Sequence, residues 1–351
     1  LTEKEYGLKL IGQQKQRNFV KMKKHRAISL FSGGLDSILA VKLVQSAGIG
    51  PGIDIIGVHF ITPFFSKKED KNQIKEVAAD LGLKLKIIPL GADYVQIVKK
   101  PKFGYGKNIN PCLDCKIFML KKAKELMAEL KGDFVFTGEV LGERPMSQTI
   151  DSLRLIEREA GLLGWLLRPL SAKLLEPTIP EKEGVVDRMQ LLAIRGRSRK
   201  PQIELAKKFG VKQYPNPAGG CLLTDIYFTE RLKDAFSYNE DTLNDIELLK
   251  YGRHFRLPSK AKVVVGRNEL ENEALAKLAT KEDLTFSPIE VAGPLVILRN
   301  YKSNQDIEIA AGICARYSDD KSGQLVKIKC GRKRLKVKPL PPEETAIWLI
   351  H

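Results

Sequence analysis

The segment AISLFSGGLDS, residues 27 to 37, constrains the fold more than any other stretch of this 351-residue chain. Its first five residues form a mostly apolar run, too few for a helix. From Asp36 to about Gln45, Ile38, Leu39, Val41, Leu43 and Val44 recur at helical spacing. Between the two runs, Ser32, Gly33 and Gly34 form a turn with almost no side-chain bulk. Strand, glycine turn and helix make the first half of a crossover, and the following residues repeat the order. IDIIGVHF (53–60) reads as a buried strand, EDKNQIKEVAADLG (69–82) as an amphipathic helix stopped by Gly82, and LKLKIIPL (83–90) as a third strand. A helix from near Cys112 to Lys131 leads into a fourth strand, GDFVFTGE (132–139). Near-continuous apolar strands alternating with helices predict an α/β, Rossmann-like parallel sheet with helices on both faces.

A chain of this length exceeds one core, so two domains are expected. Residues 1–25 form a basic N-terminal segment and 26–240 the α/β domain. From 145 to 232 the pattern loosens into loops and short helices, including the basic helix GRSRKPQIELAKKFG (196–210) and the stiff turn YPNPAGGC (214–221). Residues 245–351 are predicted to be a smaller α+β domain, with KVVVGRN, GPLVILRN, QLVKIKC and RLKVKPL as strands around the helix ELENEALAKLA (269–279).

The net charge of +17 is unevenly spread. Residues 1–26 hold eight Lys and Arg against two Glu, and KIKCGRKRLKVK (327–338) holds seven basic residues and no acid. Such faces attract polyanions, and Arg332, Lys333 and Arg334 are expected at an RNA surface. A thermophile's Lys-rich surface would give the same sum. No run approaches the roughly 18 apolar residues of a membrane span. The start, LTEKEYGLKLIGQQ, has no secretory pattern and no Met, as in a fragment or trimmed chain; a cytoplasmic location is the expectation. Cysteines there stay reduced and lean towards metal binding or catalysis.

Two motifs carry chemistry. In SGGLDS (32–37) the backbone can approach an anion closely, and the following helix turns its free N–H groups and positive dipole end to the same point. It is neither a Walker loop nor a dinucleotide fingerprint. The second is the C-x-x-C of Cys112 and Cys115 in INPCLDCKIF, with Cys221 following 109 residues on in PAGGCLLTD. No second C-x-x-C completes a zinc site. Three thiolates leaving one coordination position open suit an iron–sulfur cluster. Cys314 and Cys330 lack partners at a useful spacing and read as buried small hydrophobes.

SGGLDS resembles the loop of the PP-loop ATP pyrophosphatases, which adenylate a carbonyl oxygen and release pyrophosphate. That resemblance implies an adenine nucleotide alpha hydrolase-like sheet. Ser32, Gly33, Gly34, Asp36 and Ser37 would hold the ATP phosphates, with Asp36 positioning Mg²⁺. Adenine would lie near His59 and Phe60, although His59 equally reads as a core histidine capping a strand. Thr137, Gly138 and Glu139, ending a strand, are placed to line the nucleotide or target-base pocket. Arg144, Ser147 and Gln148 follow in a polar loop read either as touching nucleotide or RNA or as a solvated turn. Arg195, Arg197, Arg199 and Lys200 form a patch suited to RNA phosphates.

The cysteine set with TGEVLGERPMSQ (137–148), RPLSAKLLEPTIPEKEG (168–184), GRSRKPQ (196–202) and NPAGGCLLTD (216–225) resembles tRNA thiolases of the 2-thiouridylase-like group. The tail from YGRHFRLPSKAKVVVGRNELEN resembles an NFACT-R domain. The resemblance spans about 26–345 and implies a 4Fe–4S cluster on Cys112, Cys115 and Cys221, whose fourth iron would deliver hydrosulfide to an adenylated uridine. A cluster-free route stays open, with Cys112 and Cys221 as persulfide carrier and nucleophile. The implied partners are tRNA and a sulfur donor, either inorganic sulfide or a persulfide carrier, with a homodimer left open. Two other classes compete: a PP-loop ligase acting on a small molecule, and a non-catalytic RNA-binding factor whose loop senses nucleotide.

Overall fold

A computed structural model of the chain describes residues 24–65, 71–211, 214, 221–320 and 322–351. Most of the basic N-terminal segment and residues 215–220 of the YPNPAGGC turn lie outside the described residues. Two compact units divide the chain, each assembled from separated segments. The first takes the described residues up to 59, 72–86 and 119–216; the second takes 60–71, 87–118 and 217–351.

The first unit is built on a sheet of five strands in the order β3-β2-β1-β4-β5. They are β1 (His25–Leu30), β2 (Ile53–Ile61), β3 (Lys84–Pro89), β4 (Phe134–Thr137) and β5 (Leu166–Leu167). β1 runs parallel to both β2 and β4, with Leu30 in register with Val58 on one side and Thr137 on the other. The carboxyl ends of β1 and β4 are therefore level, while β2 continues to Ile61. The chain order reverses about β1, so this end of the β1–β4 pair is a switch point, where open α/β sheets bind ligands. The predicted strands and their parallel sense are borne out.

Helix α1 (Leu35–Ala47) follows β1 and is apolar almost all round, because both its sides are covered. Ile38, Val41 and Val44 pack with Phe31, Phe134 and Phe136 of the sheet. Leu35, Leu39 and Leu43 pack with Val140, Leu170 and Ala206. Further along run α2 (Lys71–Asp80), α3 (Ala92–Lys99), α4 (Cys112–Glu129), α5 (Ile150–Ala160), the short α6 (Ile179–Lys182) and α7 (Lys200–Lys208). The predicted helix over 196–210 is shorter at its start: residues 196–199 form a loop held to 141 by the Gly196 N–H bond to the Leu141 carbonyl at 2.8 Å.

In the second unit, α8 (Ile226–Ser237) and α9 (Leu243–Leu248) precede a seven-stranded sheet of order β11-β10-β8-β9-β7-β6-β12. Its strands are β6 (Arg253–Arg256), β7 (Lys262–Val265), β8 (Leu284–Pro288), β9 (Val296–Arg299), β10 (Val326–Cys330), β11 (Lys333–Val337) and β12 (Leu349–Ile350). The pairs are antiparallel. Helices α10 (Glu269–Leu278), α11 (Asn304–Arg316) and α12 (Pro342–Ala346) complete it. The expected α+β module is present, but its centre is not the helix ELENEALAKLA. The main core forms where Ala310, Ala311, Ile313, Cys314 and Ala315 of α11 meet Val263, Phe286, Leu298 and Ile328 of the sheet. Small residues let that helix approach closely, and full burial of Ile313 alone contributes about 2 kcal/mol. Ser303 and Asp306 start it with a reciprocal capping box. Cys314 and Cys330 belong to this core, as read from the sequence.

Candidate active site

Within the first unit, the phosphate-type loop leaves the carboxyl end of β1 at the switch point. The Phe31 N–H bonds the Val58 carbonyl at 2.9 Å, and His59 Nδ1 lies 3.0 Å from the Phe31 carbonyl oxygen. His59 is buried and braces the residue before the loop. Gly33 is left-handed at φ +74, a conformation that costs other residues about 1 kcal/mol or more. The Ser37 hydroxyl donates to the Gly34 carbonyl at 2.8 Å, and Ser32 Oγ accepts from the Gly34 N–H at 3.3 Å. Gly34 is the N-cap of α1, and no side chain caps that end among the described residues. The N–H groups of its first turn are thus left for an anion.

Glycine is required at 138 as well: a Cβ there would meet the backbone of Asp36 and Ser37. The end of β4 is thereby pressed against the start of α1. Thr137 and Glu139 flank this contact but face inwards. The Thr137 hydroxyl donates to Glu139 at 3.1 Å, and the buried Arg168 pairs with Glu139 at 3.1 Å and with Glu157. Sequence reasoning missed Arg168, a fully buried cation whose only signal is its place beside β5.

Asp36 stands in a polar pocket. Burial pushes its carboxyl up, against the pull of the Arg199 and Arg144 guanidiniums and the Gln202 amide beside it. Glu143 is also pushed up, first by burial and then by the charge on Asp36. Several buried atoms here lack a well-formed hydrogen bond among the described residues: Asp36 Oδ1, Arg199 Nε and both amide atoms of Gln202. Buried polar atoms are almost always paired, so orphans gathered at one place fit a ligand that completes them. A divalent cation and phosphate oxygens suit that mixture. Arg144 and Arg199, read from the sequence as RNA contacts, thus lie at the loop, whereas Arg195, Arg197 and Lys200 are exposed. Gln202 and Glu143 were not foreseen; neither residue type stands out in a polar loop.

The cysteines belong to the second unit. Cys112 and Cys115 form the first turn of α4, and Asp114 between them accepts the Lys102 and Phe103 N–H groups at 2.9 and 3.1 Å. Cys221 forms an antiparallel bridge with Phe65, and the Leu222 N–H bonds the Phe64 carbonyl at 2.8 Å. Asn108, left-handed at φ 55, ties the two cysteine segments together through its amide and the Thr224 carbonyl at 2.9 Å. One phenol, that of Tyr94, meets the Cys115 sulfur. Burial pushes Tyr94 well above its usual range, and Cys115, Cys221 and Cys112 add to that push. The Tyr94 hydroxyl donates to Cys115 Sγ at 2.9 Å. Burial also raises the Cys115 thiol, against this bond. Among the described residues no three such side chains are already close enough to hold a metal ion. The donor chemistry nevertheless fits a cluster: three thiols in one unit, none in a disulfide, with two of their segments tied together by Asn108.

Arg332, Lys333 and Arg334 lie at the exposed turn of the β10–β11 hairpin. On its outer face Lys327 stands opposite Lys336 and Lys329 opposite Arg334. Like charges directly across strands are unfavourable without a counter-charge. The alternation K-I-K and R-L-K was the signal that these residues share a face. No helix among the described residues is long and apolar enough to cross a membrane.

Sheet order, glycine loop and uncapped helix together give the arrangement of α/β proteins of the PP-loop class. Residues 22–173 match the family model described as thiamine biosynthesis protein (ThiI), and residues 252–349 match that of the NFACT protein RNA binding domain. The chain joins a ThiI-type domain to an NFACT-type domain. A probable tRNA sulfurtransferase of Lactobacillus gasseri is 29% identical over 133 residues, 36% of this chain and 30% of that protein. One from Latilactobacillus sakei is 28% identical over 136 residues, 37% of this chain and 31% of that protein. The matched stretch thus spans less than a third of these relatives. A solved structure, the U34-tRNA thiolase NcsA from Methanococcus maripaludis with its 4Fe–4S cluster, aligns with 73% of this chain and 81% of that one. Its identity is 18% and its TM-score 0.35, too low a likeness to carry an argument.

Proposed function

We propose that the protein is an ATP-dependent tRNA sulfurtransferase that adenylates a uridine carbonyl oxygen and exchanges that oxygen for sulfur. Its main support is that Asn108 ties the Cys112–Cys115 segment to the Cys221 segment, with Tyr94 bonded to Cys115, in a chain whose first strand ends in a phosphate-type loop. The first-turn N–H groups of α1, with Ser32 and Ser37, would take the phosphates that leave as pyrophosphate. Asp36 would hold Mg²⁺, and Arg144 and Arg199 would offset the charge growing on the phosphates as the base oxygen attacks the α-phosphorus. Adenylation makes the base carbon open to a sulfur nucleophile; the carbon–sulfur bond forms, and AMP then leaves with the original oxygen.

Cys112, Cys115 and Cys221 would hold a 4Fe–4S cluster, which supplies an iron with one position open to a sulfur ligand. The target base must be unstacked to be reached, so a loop or flipped nucleotide is the substrate. Lys329, Arg334 and Lys336 on the C-terminal hairpin would hold tRNA phosphates without reading sequence.

The test is anaerobic purification with iron and sulfide analysis, followed by ATP, sulfide and unmodified tRNA. Thiolated nucleoside and RNA-dependent pyrophosphate release are expected. Cys112→Ala, Cys115→Ala and Cys221→Ala should each abolish product, whereas Cys314→Ala and Cys330→Ala should not. A colourless protein that thiolates and tolerates Cys115→Ala would select the persulfide route through Cys112 and Cys221. ATP turnover indifferent to RNA, with no thiolated product, would sink the proposal in favour of a small-molecule ligase.

A further inference from the structure

We propose that Tyr94 is a positioning residue of the cysteine site, holding the Cys115 sulfur through the hydrogen bond that its hydroxyl donates. The inference deepens the sulfurtransferase reading and rests on it for the purpose of the site, although the bond itself can be tested without RNA.

A buried phenol hydroxyl needs a partner, and the usual one is a carbonyl. Even the exposed Tyr105, eleven positions further along the same unit, takes carbonyls: its hydroxyl donates to those of Val98 and Lys99 at 2.8 and 3.1 Å. Tyr94 does not. It is 1% exposed, and its hydroxyl donates instead to a cysteine sulfur at 2.9 Å. A neutral thiol is a poor acceptor, while a metal-bound thiolate is a strong one. The contact therefore gains most when Cys115 is a ligand, as expected of a group placed for the loaded site.

The ring is aimed from several sides. Phe118, one turn beyond Cys115 on α4, packs against it at 5.5 Å between centroids, and Phe64 at 6.0 Å. Phe64 in turn packs edge-on with Phe228 at 6.3 Å and, through its carbonyl, holds the N–H of Leu222 beside Cys221. The Tyr94 backbone is pinned at the start of α3, where its N–H bonds the Asp93 carboxylate at 2.9 Å. One aromatic assembly thus connects the C-x-x-C turn to the distant cysteine, with the hydroxyl as its polar tip. Groups that orient a metal ligand in this way typically govern about 10- to 100-fold in metal affinity.

The experiment uses the full chain, freed of metal, titrated with Co²⁺ while thiolate-to-cobalt absorption is followed. Tyr94→Phe keeps the ring and its packing. Its cobalt affinity should fall about 10- to 100-fold with the metal-free melting temperature unchanged, and Tyr105→Phe should titrate as wild type. In a Cys115→Ala background, Tyr94→Phe should cause no further loss. Reconstituted cluster should also lose iron to a chelator faster in Tyr94→Phe than in wild type. Wild-type affinity in Tyr94→Phe would overturn the proposal. So would a full additional loss in the Cys115→Ala background, a metal-free melt that falls along with affinity, or a wild-type chain that binds no cobalt. A protein that shows the Tyr94 effect but never thiolates RNA would overturn the sulfurtransferase reading alone.

Discussion

A Cβ on Gly138 would lie 2.5 Å from the carbonyl carbon and oxygen of Asp36 and 2.6 Å from the amide nitrogen of Ser37. These are backbone atoms, so nothing at the contact can rotate away. Gly138→Ala must push the end of β4 from the first turn of α1, and that turn carries the free N–H groups. The expected result is a loss of about 100-fold in kcat/KM for ATP-driven pyrophosphate release, since a displacement near 1 Å can cost that much. A wild-type rate would show that the loop does not handle the nucleotide.

Gln202 offers a test in which stability and activity part. Its amide is buried beside Asp36, makes no well-formed hydrogen bond among the described residues, and pulls on that carboxyl less than Arg199 and Arg144 do. Replacing such a poorly paired buried amide by an apolar group of similar shape removes a desolvation cost of about 1 to 3 kcal/mol. Gln202→Leu should leave the ligand-free chain as stable as before or more so, while the KM for ATP rises. Thermal melts without and with Mg-ATP check both halves, and a destabilised variant with normal ATP response would count against a role at the loop.

The second unit should weaken in acid for an identifiable reason. Glu240 pairs with Arg256 at 2.7 Å and with the buried Lys262 at 2.9 Å. Burial alone would raise its carboxyl, but the Arg256 and Lys262 contacts outweigh this and hold it at about 2, below the ordinary 4.5. A depressed carboxyl stabilises the fold fully above 4.5, and that contribution fades as the pH falls from 4.5 towards 2. Its upper size is roughly 3 kcal/mol. Urea midpoints at pH 7 and pH 3 should differ in wild type and differ less in Glu240→Gln. That variant should also be weaker at pH 7, because Lys262 is left buried without its counter-charge.

On the C-terminal hairpin, stability and RNA affinity should move in opposite directions. Lys329 and Arg334 are directly opposed across the strands. Changing both to Gln relieves a like-charge pair worth about 0.2 to 1 kcal/mol and should raise the melting temperature slightly. RNA binding should weaken, and the slope of log affinity against log salt should fall by about 0.7 to 0.9 for each lost phosphate contact. An unchanged slope would place the RNA elsewhere.

How much of this was legible in the chain depends on the range of the forces involved. Around AISLFSGGLDS the glycine turn, helix start and apolar periodicity are local properties, and they located β1, the loop and α1 nearly to the residue. The strands KVVVGRN and GPLVILRN were equally plain. The helix over Asn304–Arg316 gives no such signal, because its alanines, glycine and cysteine look unremarkable; their smallness matters only when a sheet lies against them. Arg144 and Arg199 were indistinguishable from other arginines in basic loops until folding set them beside Asp36.

INPCLDCKIF and PAGGCLLTD showed that three thiols were available, since residue type and spacing are written in the chain. That one of the thiols meets a tyrosine from a different helix was decided only by tertiary structure. A hydrogen bond between Tyr94 and Cys115 spans 21 residues and depends on how Phe64 and Phe118 wedge the ring. Local sequence determines which groups a segment offers and what backbone it adopts. Packing between distant segments decides which of those groups meet.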